Sequence, residues 1–434
     1  MDTDLVRFRN ARLIRNGKMI IDDLWIQNGK IIDPEPIFFD RKQNASICID
    51  CNQMIIAPGY IDIQINGWLR KFCSNFFFLD EFLTFSLTNF VQKGGFGYDF
   101  STPTNDISHS IENVARNLVR FGVTSFCPTL ISQSRKYYQE TLRSIKRGPI
   151  RNGANVLGVH LEGPFINLKK KGAHDQAMIQ NEINSFEQIE QFYDDLSNVS
   201  IITLAPELDT NNVIDKLTKC DIVISLGHSN ANLGVSEKAF ESGAKMITHL
   251  FNAMPLFHHR DPGLLGLLTI ESDRQVFYSI IADGIHTHYS ALKLAFSANP
   301  RGMILVSDAV SAAGLQTGTH RIGSQIIEVE NNTQAFLAGT NTLCGSIALL
   351  DHCVRYLHQK ASCSVVEAIE CATLHPAQVL DIANQKGSID FGLDADFIIL
   401  NDDLEVIATF VSGRCVHFDE KKLTTWIDLS QLLV

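Results

Sequence analysis

Four residues end four separate apolar runs of this chain, and their types suit hydrolysis assisted by a divalent metal ion. Glu162 closes Val156–Glu162, His228 closes Ile222–His228, His249 stands near the end of Lys245–Leu250, and Asp308 closes Met303–Asp308. One carboxylate and two imidazoles form a three-ligand set that leaves a position open for water, as catalytic metal sites do. The aspartate has no evident partner and is placed to take a proton from that water. Each residue alone is weak. A histidine at a strand end is more often a hydrogen-bonded structural group, and a glutamate before Gly-Pro can simply cap a helix. Chance would scatter such residues to both ends of the runs, whereas these four fall at the same end.

The elements that must position them follow from the pattern between. Apolar runs bounded by turns lie at Ile55–Ile65, Thr124–Leu130, Val156–Glu162, Ser200–Ala205, Ile222–His228, Lys245–Leu250, Phe277–Asp283 and Met303–Asp308. Helical spacing falls between many of them: Ile111, Val114, Leu118 and Val119 share one face before Gly122, and Val235–Ser242 stops at Gly243. Eight strand–helix units predict an α/β fold, a closed (β/α)8 TIM-like barrel whose active site gathers at the carboxyl ends of the strands. The termini read differently. Val6–Ile32 carries β-rich runs broken at Asn16-Gly17 and Asn28-Gly29, and Gly387–Val416 repeats that texture. Residues 1–57 with 386–434 therefore predict one small β-sandwich domain, with 58–385 as the barrel inserted between its halves.

Composition narrows the partners. With 37 Lys and Arg against 48 Asp and Glu the net charge is −11, and no basic tail is present, which argues against nucleic acid or an anionic membrane as partner. Forty-five per cent hydrophobic and 20% charged residues describe a globular chain. No apolar stretch is long enough for a membrane span, and no secretory signal is expected. Ten scattered cysteines read as reduced thiols, so a cytoplasmic location is expected.

Taken in order, the motifs resemble the N-acetylglucosamine-6-phosphate deacetylase family of the amidohydrolase superfamily. The resemblance rests on Pro58-Gly59-Tyr60-Ile61-Asp62-Ile63-Gln64-Ile65-Asn66-Gly67 and Gly122–Thr129, then on His160-Leu161-Glu162-Gly163-Pro164-Phe165 with Lys171-Gly172-Ala173-His174. It continues through Gly227-His228-Ser229, His249–Met254, His259–Gly263, Asp283-Gly284-Ile285-His286, Ser307-Asp308-Ala309 and Leu337-Ala338-Gly339, covering nearly the whole chain. It implies an enzyme that releases acetate from N-acetylglucosamine 6-phosphate, a phosphorylated amino sugar, in amino-sugar catabolism. Glu162, His228 and His249 would hold one divalent ion, zinc, and Asp308 would act as general base and then acid. His174 would bind substrate and steady the oxyanion. Asn252 and Ala253 would hold the sugar phosphate, with Ala173 and the turn Asp283, Gly284, Ile285 and His286 also at the substrate. Arg260 and His286 would meet the 6-phosphate, Arg260 reaching into the neighbouring subunit of a homodimer. Leu337, Ala338 and Gly339 would line the acetyl pocket.

The first strand bears on the subclass. Two-metal relatives carry His-x-His there; Gln64 and Asn66 are poor zinc ligands, so one ion is expected. Another N-acyl or cyclic amide hydrolase, or an inactive barrel serving as scaffold, are the alternative readings. One departure is large: Trp68 to Gly94, 94 − 68 + 1 = 27 residues rich in phenylalanine, separates Gly67 from Gly95–Ser101, segments that the family joins almost directly. It reads as an extra lid helix or an interface at the active-site rim, or equally as translated intron.

Overall fold

A computed structural model describes residues 5–40, 44–66, 100, 106–310, 317–322, 325–330, 334–340 and 342–423. The 27-residue insertion lies outside the described residues. Eight parallel strands form the central sheet in chain order: β1 (Tyr60–Ile65), β2 (Val123–Ile131), β3 (Val159–Glu162), β4 (Val199–Leu204), β5 (Val223–Leu226), β6 (Met246–Ile247), β7 (Phe277–Ile280) and β8 (Met303–Leu305). Residues just past β8 close the ring: Asp308 N donates to Gln64 O at 2.9 Å and Asn66 N to Ala309 O at 2.8 Å. That closure sets Asp308 beside the first strand, 244 residues from Gln64 in sequence.

The helices end where the sequence changes chemistry. The helix Ile107–Leu118 starts on Asp106, whose carboxylate accepts from His109 N, and buries Ile111, Val114 and Leu118. Gly122, at φ 78°, then takes the left-handed turn that a side chain would oppose. The helix Leu233–Glu241 is capped by Asn232, and Gly243 follows at φ 110°.

The two ends of the chain build a second sheet, running Arg414–Phe418, Val406–Val411, Phe397–Leu400, Ile55–Pro58, Val6–Arg15, Lys18–Gln27 and Lys30–Ile31, with Ile47–Asp50 beside Val6–Arg15. The Asn-Gly turns fall where the hairpins bend, with Asn16, Gly17, Asn28 and Gly29 all at positive φ. The run Ile55–Ile65, expected as one barrel strand, is two. Ile55–Pro58 pairs with Phe397–Leu400 in the terminal sheet, and Gly59 separates it from β1. A Cβ at Gly59 would lie 2.2 Å from Thr124 Cγ2, so the two sheets can meet there only around a glycine. The terminal strands share one hydrogen-bonded sheet that curls. Phe8 and Phe410 lie three strands apart, which at the usual spacing is roughly 14 Å, yet their ring centroids are 5.3 Å apart. The curled sheet thus encloses its own core, as a sandwich does.

After β8 comes an element that the eight-run pattern does not announce. Gly318–Ile322, Gln325–Glu330 and Gln334–Leu337 form a separate antiparallel sheet. Its inner face, Ile327, Val329 and Ala335, packs with Ala173, Val310 and Leu337, so it leans on the loops at the barrel mouth.

Candidate active site

Strand ends turn the candidate residues into the mouth at a conformational cost. His228, His249 and Asp308 have φ of 46°, 31° and 43°, a region where non-glycine residues cost of order 1–3 kcal/mol each. Gly227, just before His228, packs so close to β6 that a Cβ would sit 2.7 Å from Thr248 Cβ. Strained residues held at one rim by rigid strands are what a pre-organised site requires.

Glu162 Oε1 lies 2.9 Å from His228 Nε2 and 3.0 Å from His249 Nε2, and the two nitrogens are 3.0 Å apart. The outer contact of His228 decides what those distances mean. Its Nδ1 is 2.8 Å from Lys170 O, which can only accept, so Nδ1 carries the proton. A neutral His228 then presents a lone pair to a carboxylate, which is repulsive unless positive charge lies between them. A tetrahedral zinc ion with bonds of about 2.0–2.2 Å would hold its ligand atoms about 3.3 Å apart, close to the triangle found here. The donor set and its outer hydrogen bond therefore fit a divalent cation.

Glu162, His174 and His228 can also offer ligand atoms within 4.8 Å of one another. His174 stands farther out, its Nε2 3.9 Å from Glu162 Oε1. Its Nδ1 accepts from Ser132 N at 3.3 Å and contacts Ser132 Oγ at 2.7 Å. An acceptor Nδ1 on a neutral ring leaves the proton on Nε2, facing the cluster. Burial first, then His228, lowers the His174 pKa to about 3, so the ring stays neutral. His174 is thereby a hydrogen-bond donor to the site and a poor fourth ligand, and the tighter Glu162–His228–His249 triangle is the better cradle for the ion.

Asp308 Oδ1 accepts from Asn66 Nδ2 at 2.8 Å and Gln64 Nε2 at 3.2 Å. Oδ2 has no protein hydrogen bond among the described residues. Burial first, then the charge of Glu162, pushes the Asp308 carboxyl above its ordinary range, while Asn66 and His249 pull against that. Burial also works against ionising Glu162, but hydrogen bonds and positive charge from His228 and His249 outweigh it and hold that carboxyl well below its usual range; a cation between neutral imidazoles would do the same. Two neighbouring carboxyls with opposite tendencies make a metal ligand and a proton carrier.

Below the triangle every hydroxyl proton has a defined place. His160, lowered to about 4 by burial, donates from Nδ1 to Ile63 O at 2.9 Å and accepts at Nε2 from Thr203 Oγ1 at 2.8 Å. Thr203 accepts from Thr248 at 2.7 Å, which accepts from Ser225 at 2.5 Å. This chain ties β3, β4, β5 and the residue before His249 together.

The remaining candidates divide. Asp283 accepts from Ile285 N and His286 N, both at 2.8 Å, and its Oδ2 lies 2.7 Å from His286 Nδ1, so it shapes a turn around Gly284 and orients the imidazole. Asn252 and Ala253 form the strained turn after His249, with Ala253 at φ 52° and Asn252 N bonded to His249 O. Leu337 packs with Ala173, whereas Gly339 is exposed. Arg260 lies on an exposed loop beside Leu256 (90% exposed) and Phe257 (63%), and among the described residues its guanidinium has no partner within the chain. The structure thus gathers Glu162, His174, His228, His249 and Asp308, and among the described residues Arg260 makes no side-chain hydrogen bond or ion pair with that cluster. Ser132, the Lys170 carbonyl and the Thr203–Thr248–Ser225 relay escaped the sequence reading. Gln64 and Asn66 were weighed only as metal ligands, and their amide donors are what count.

Comparison with known proteins gives a consistent result. The amidohydrolase family model matches residues 55–416. N-acetylglucosamine-6-phosphate deacetylase of Bos taurus is 47% identical over 420 residues, covering 95% of each chain. That of Bacillus subtilis (strain 168) is 35% identical, covering 96% of this chain and 97% of its own. The crystal structure of the enzyme of the same name from Thermotoga maritima superposes with a TM-score of 0.76 at 26% identity, covering 95% of this chain and 100% of the other.

Proposed function

The chain belongs to the amidohydrolase family, and from that premise we propose that it hydrolyses the acetamide of N-acetylglucosamine 6-phosphate, giving glucosamine 6-phosphate and acetate. The observation that carries this reading is the Glu162–His228–His249 triangle with the Asp308 carboxyl held beside it by two amides. Glu162, His228 and His249 would hold one divalent ion, zinc in our reading. When bound, such an ion supplies the Lewis-acid charge that lowers the pKa of a water from 15.7 toward about 7.

The chain's own groups do the rest. Gln64 and Asn66 occupy Asp308 Oδ1, leaving Oδ2 to take the proton as water attacks the acetamide carbonyl carbon. His174, neutral and protonated on Nε2, donates to the oxygen on which negative charge develops. As the carbon–nitrogen bond breaks, Asp308 returns the proton to the departing amine. His286, aimed by Asp283, and the exposed Arg260 bind the 6-phosphate. An exposed Arg260 that has no side-chain partner among the described residues, beside exposed Leu256 and Phe257, supports a homodimer in which that loop completes the neighbouring site. We read 1–57 with 386–434 as the small domain and 58–385 as the barrel, although the strand Ile55–Pro58 carries the terminal sheet one residue past that division. Among the described residues no helix is long and apolar enough to cross a membrane. The nine described cysteines are all free, which supports a cytoplasmic location.

The test is acetate release from N-acetylglucosamine 6-phosphate with metal counted on the same sample. Turnover with about one ion per chain, lost on chelation and restored by zinc, is the expected result. A stoichiometric ion without acetate release would sink the substrate assignment.

A further inference from the structure

Between the strands that carry Glu162 and His228, β4 supplies none of the clustered residues. What it supplies lies just beyond its end. After Leu204 the chain enters the short turn Pro206–Leu208, where the half-buried Glu207 accepts three hydrogen bonds from two other loops. Its Oε1 accepts from Asn167 Nδ2 at 2.8 Å and from Asn230 N at 2.6 Å, and its Oε2 accepts from Ser229 Oγ at 2.6 Å. The first donor follows β3 and the other two follow β5. One carboxylate thus ties together the loops that leave the strands of Glu162 and His228.

Both loops act on His228 directly. Asn167 N donates to His228 O at 2.9 Å, and the Lys170 carbonyl receives the proton of His228 Nδ1, so residues 167–170 grip His228 by backbone and by ring. Asn167 also builds that turn, accepting from Lys169 N through its side chain at 2.9 Å and from Lys170 N through its carbonyl at 2.8 Å. Ser229 and Asn230 follow His228 immediately, where the backbone holds its strained φ of 46°. The next ligand is reached as well. Ser229 N donates to Ala253 O at 3.2 Å and Lys170 Nζ to Met254 O at 2.9 Å, both in the turn after His249. An ionised carboxylate only accepts, and it binds N–H and O–H donors more strongly than a neutral acceptor does. Groups that hold a metal's ligands from outside orient them, and losing one typically costs about 10–100-fold in affinity or activity.

We propose that Glu207 is a positioning residue of the metal site: it clamps the 167–170 turn and residues 229–230 around His228 and so keeps that ring with Nε2 toward Glu162. The proposal rests on the reading of Glu162, His228 and His249 as the ligands, and it gives the end of β4 a part in the site.

Zinc release from the loaded full chain into excess chelator tests it, together with the visible spectrum of the cobalt(II)-loaded chain. Glu207→Ala should release the ion about 10–100-fold faster than wild type and shift the cobalt bands, which report ligand geometry. Glu207→Gln should fall between, because Ser229 can turn its hydroxyl to accept from the amide while the remaining oxygen keeps its two donors. Lys386→Met, weakened in the buried Lys386–Asp396 pair away from the mouth, is the comparison for a merely structural loss. Release from Glu207→Ala no faster than from that variant, or cobalt bands like those of wild type, would make Glu207 a loop strut and overturn the proposal. Should Glu207→Ala fail to fold, Asn167→Asp decides. It is isosteric and keeps the acceptor for Lys169 N, but it sets a carboxylate against Glu207. Release at least about tenfold faster is expected of it, and an unchanged rate overturns the proposal. A wild type that binds no ion, or an ion that His249→Ala still holds, would overturn the ligand reading and this role with it. An ion lost by His249→Ala but released at the wild-type rate by Glu207→Ala would overturn the role of Glu207 alone.

Discussion

At the seam between barrel and terminal sheet, Lys386 Nζ lies 2.7 Å from Asp394 Oδ2 and 2.5 Å from Asp396 Oδ2, Lys30 reaches Asp394, and Ser412 N donates to Asp396. At the mouth, Glu162, His228 and His249 stand 2.9–3.0 Å apart and are more deeply buried, but the lone pair of His228 faces the Glu162 carboxylate with no fixed positive charge between them. The seam is complete: each charge meets an opposite charge or a donor, and nothing need be added. The mouth suits one added cation, and His228, His249 and Asp308 sit at positive φ where the seam's charged residues do not. Two buried charge clusters of similar density therefore differ in what they lack, and that deficit distinguishes a site from a strut.

The sharpest way to break the comparison is to remove a residue from each. His249→Ala should lose the ion and bring acetate release to background, read by metal analysis and turnover together; retained metal with retained activity would move the ligand set to Glu162, His174 and His228. Asp308→Asn should keep the ion and slow turnover by about 10²–10⁴, and a loss smaller than about tenfold would end its role as proton carrier. Lys386→Met should do the reverse. Breaking a buried ion pair from one side costs about 3–5 kcal/mol, so denaturant unfolding should shift by that much while kcat stays near wild type. A fall in kcat with stability intact would mean that the seam communicates with the mouth.

The mouth was legible because its residues are types that report chemistry and because they end apolar runs. Glu162, His228, His249 and Asp308 could be found without knowing what touches them. Their supports could not: Ser132 meets His174 across 42 residues and the Lys170 carbonyl meets His228 across 58, and neither serine nor a backbone carbonyl marks itself in sequence. The Asn-Gly hairpins were legible for a local reason, since positive φ at both positions selects those residues. The division at Gly59 was not, because Ile55–Pro58 and Tyr60–Ile65 are equally apolar and only the choice of strand partners separates them. The sheet Gly318–Leu337 escaped because its short strands add nothing to the eightfold alternation by which the barrel was recognised.

The smallest effect is also the most specific to the mouth. In the chain stripped of metal, the raised pKa of Asp308 means that the folded state keeps a proton that the unfolded chain has released. Between the ordinary carboxylate value of 3.8 and that raised value, this group must make stability fall as pH rises, by at most about 1.4 kcal/mol per pH unit. Glu162, depressed, acts the opposite way and only at acid pH, where its stabilising contribution is lost as pH falls. His160 and His174, lowered to about 4 and 3, also make stability rise with pH up to the free imidazole range, and Asp62, raised to about 6, makes it fall. The net slope of the wild type is thus a sum of opposing contributions, and only a difference isolates one of them. Denaturant unfolding of chelated wild type and Asp308→Asn should diverge between about pH 5 and 7, with the wild type losing stability relative to the variant as pH rises. Restoring the ion should abolish the divergence, because a cation beside the carboxyl favours its charged form and removes the retained proton. Parallel curves in the metal-free state would show that Asp308 is ionised without the ion, and the mouth would then differ from the seam only in its geometry.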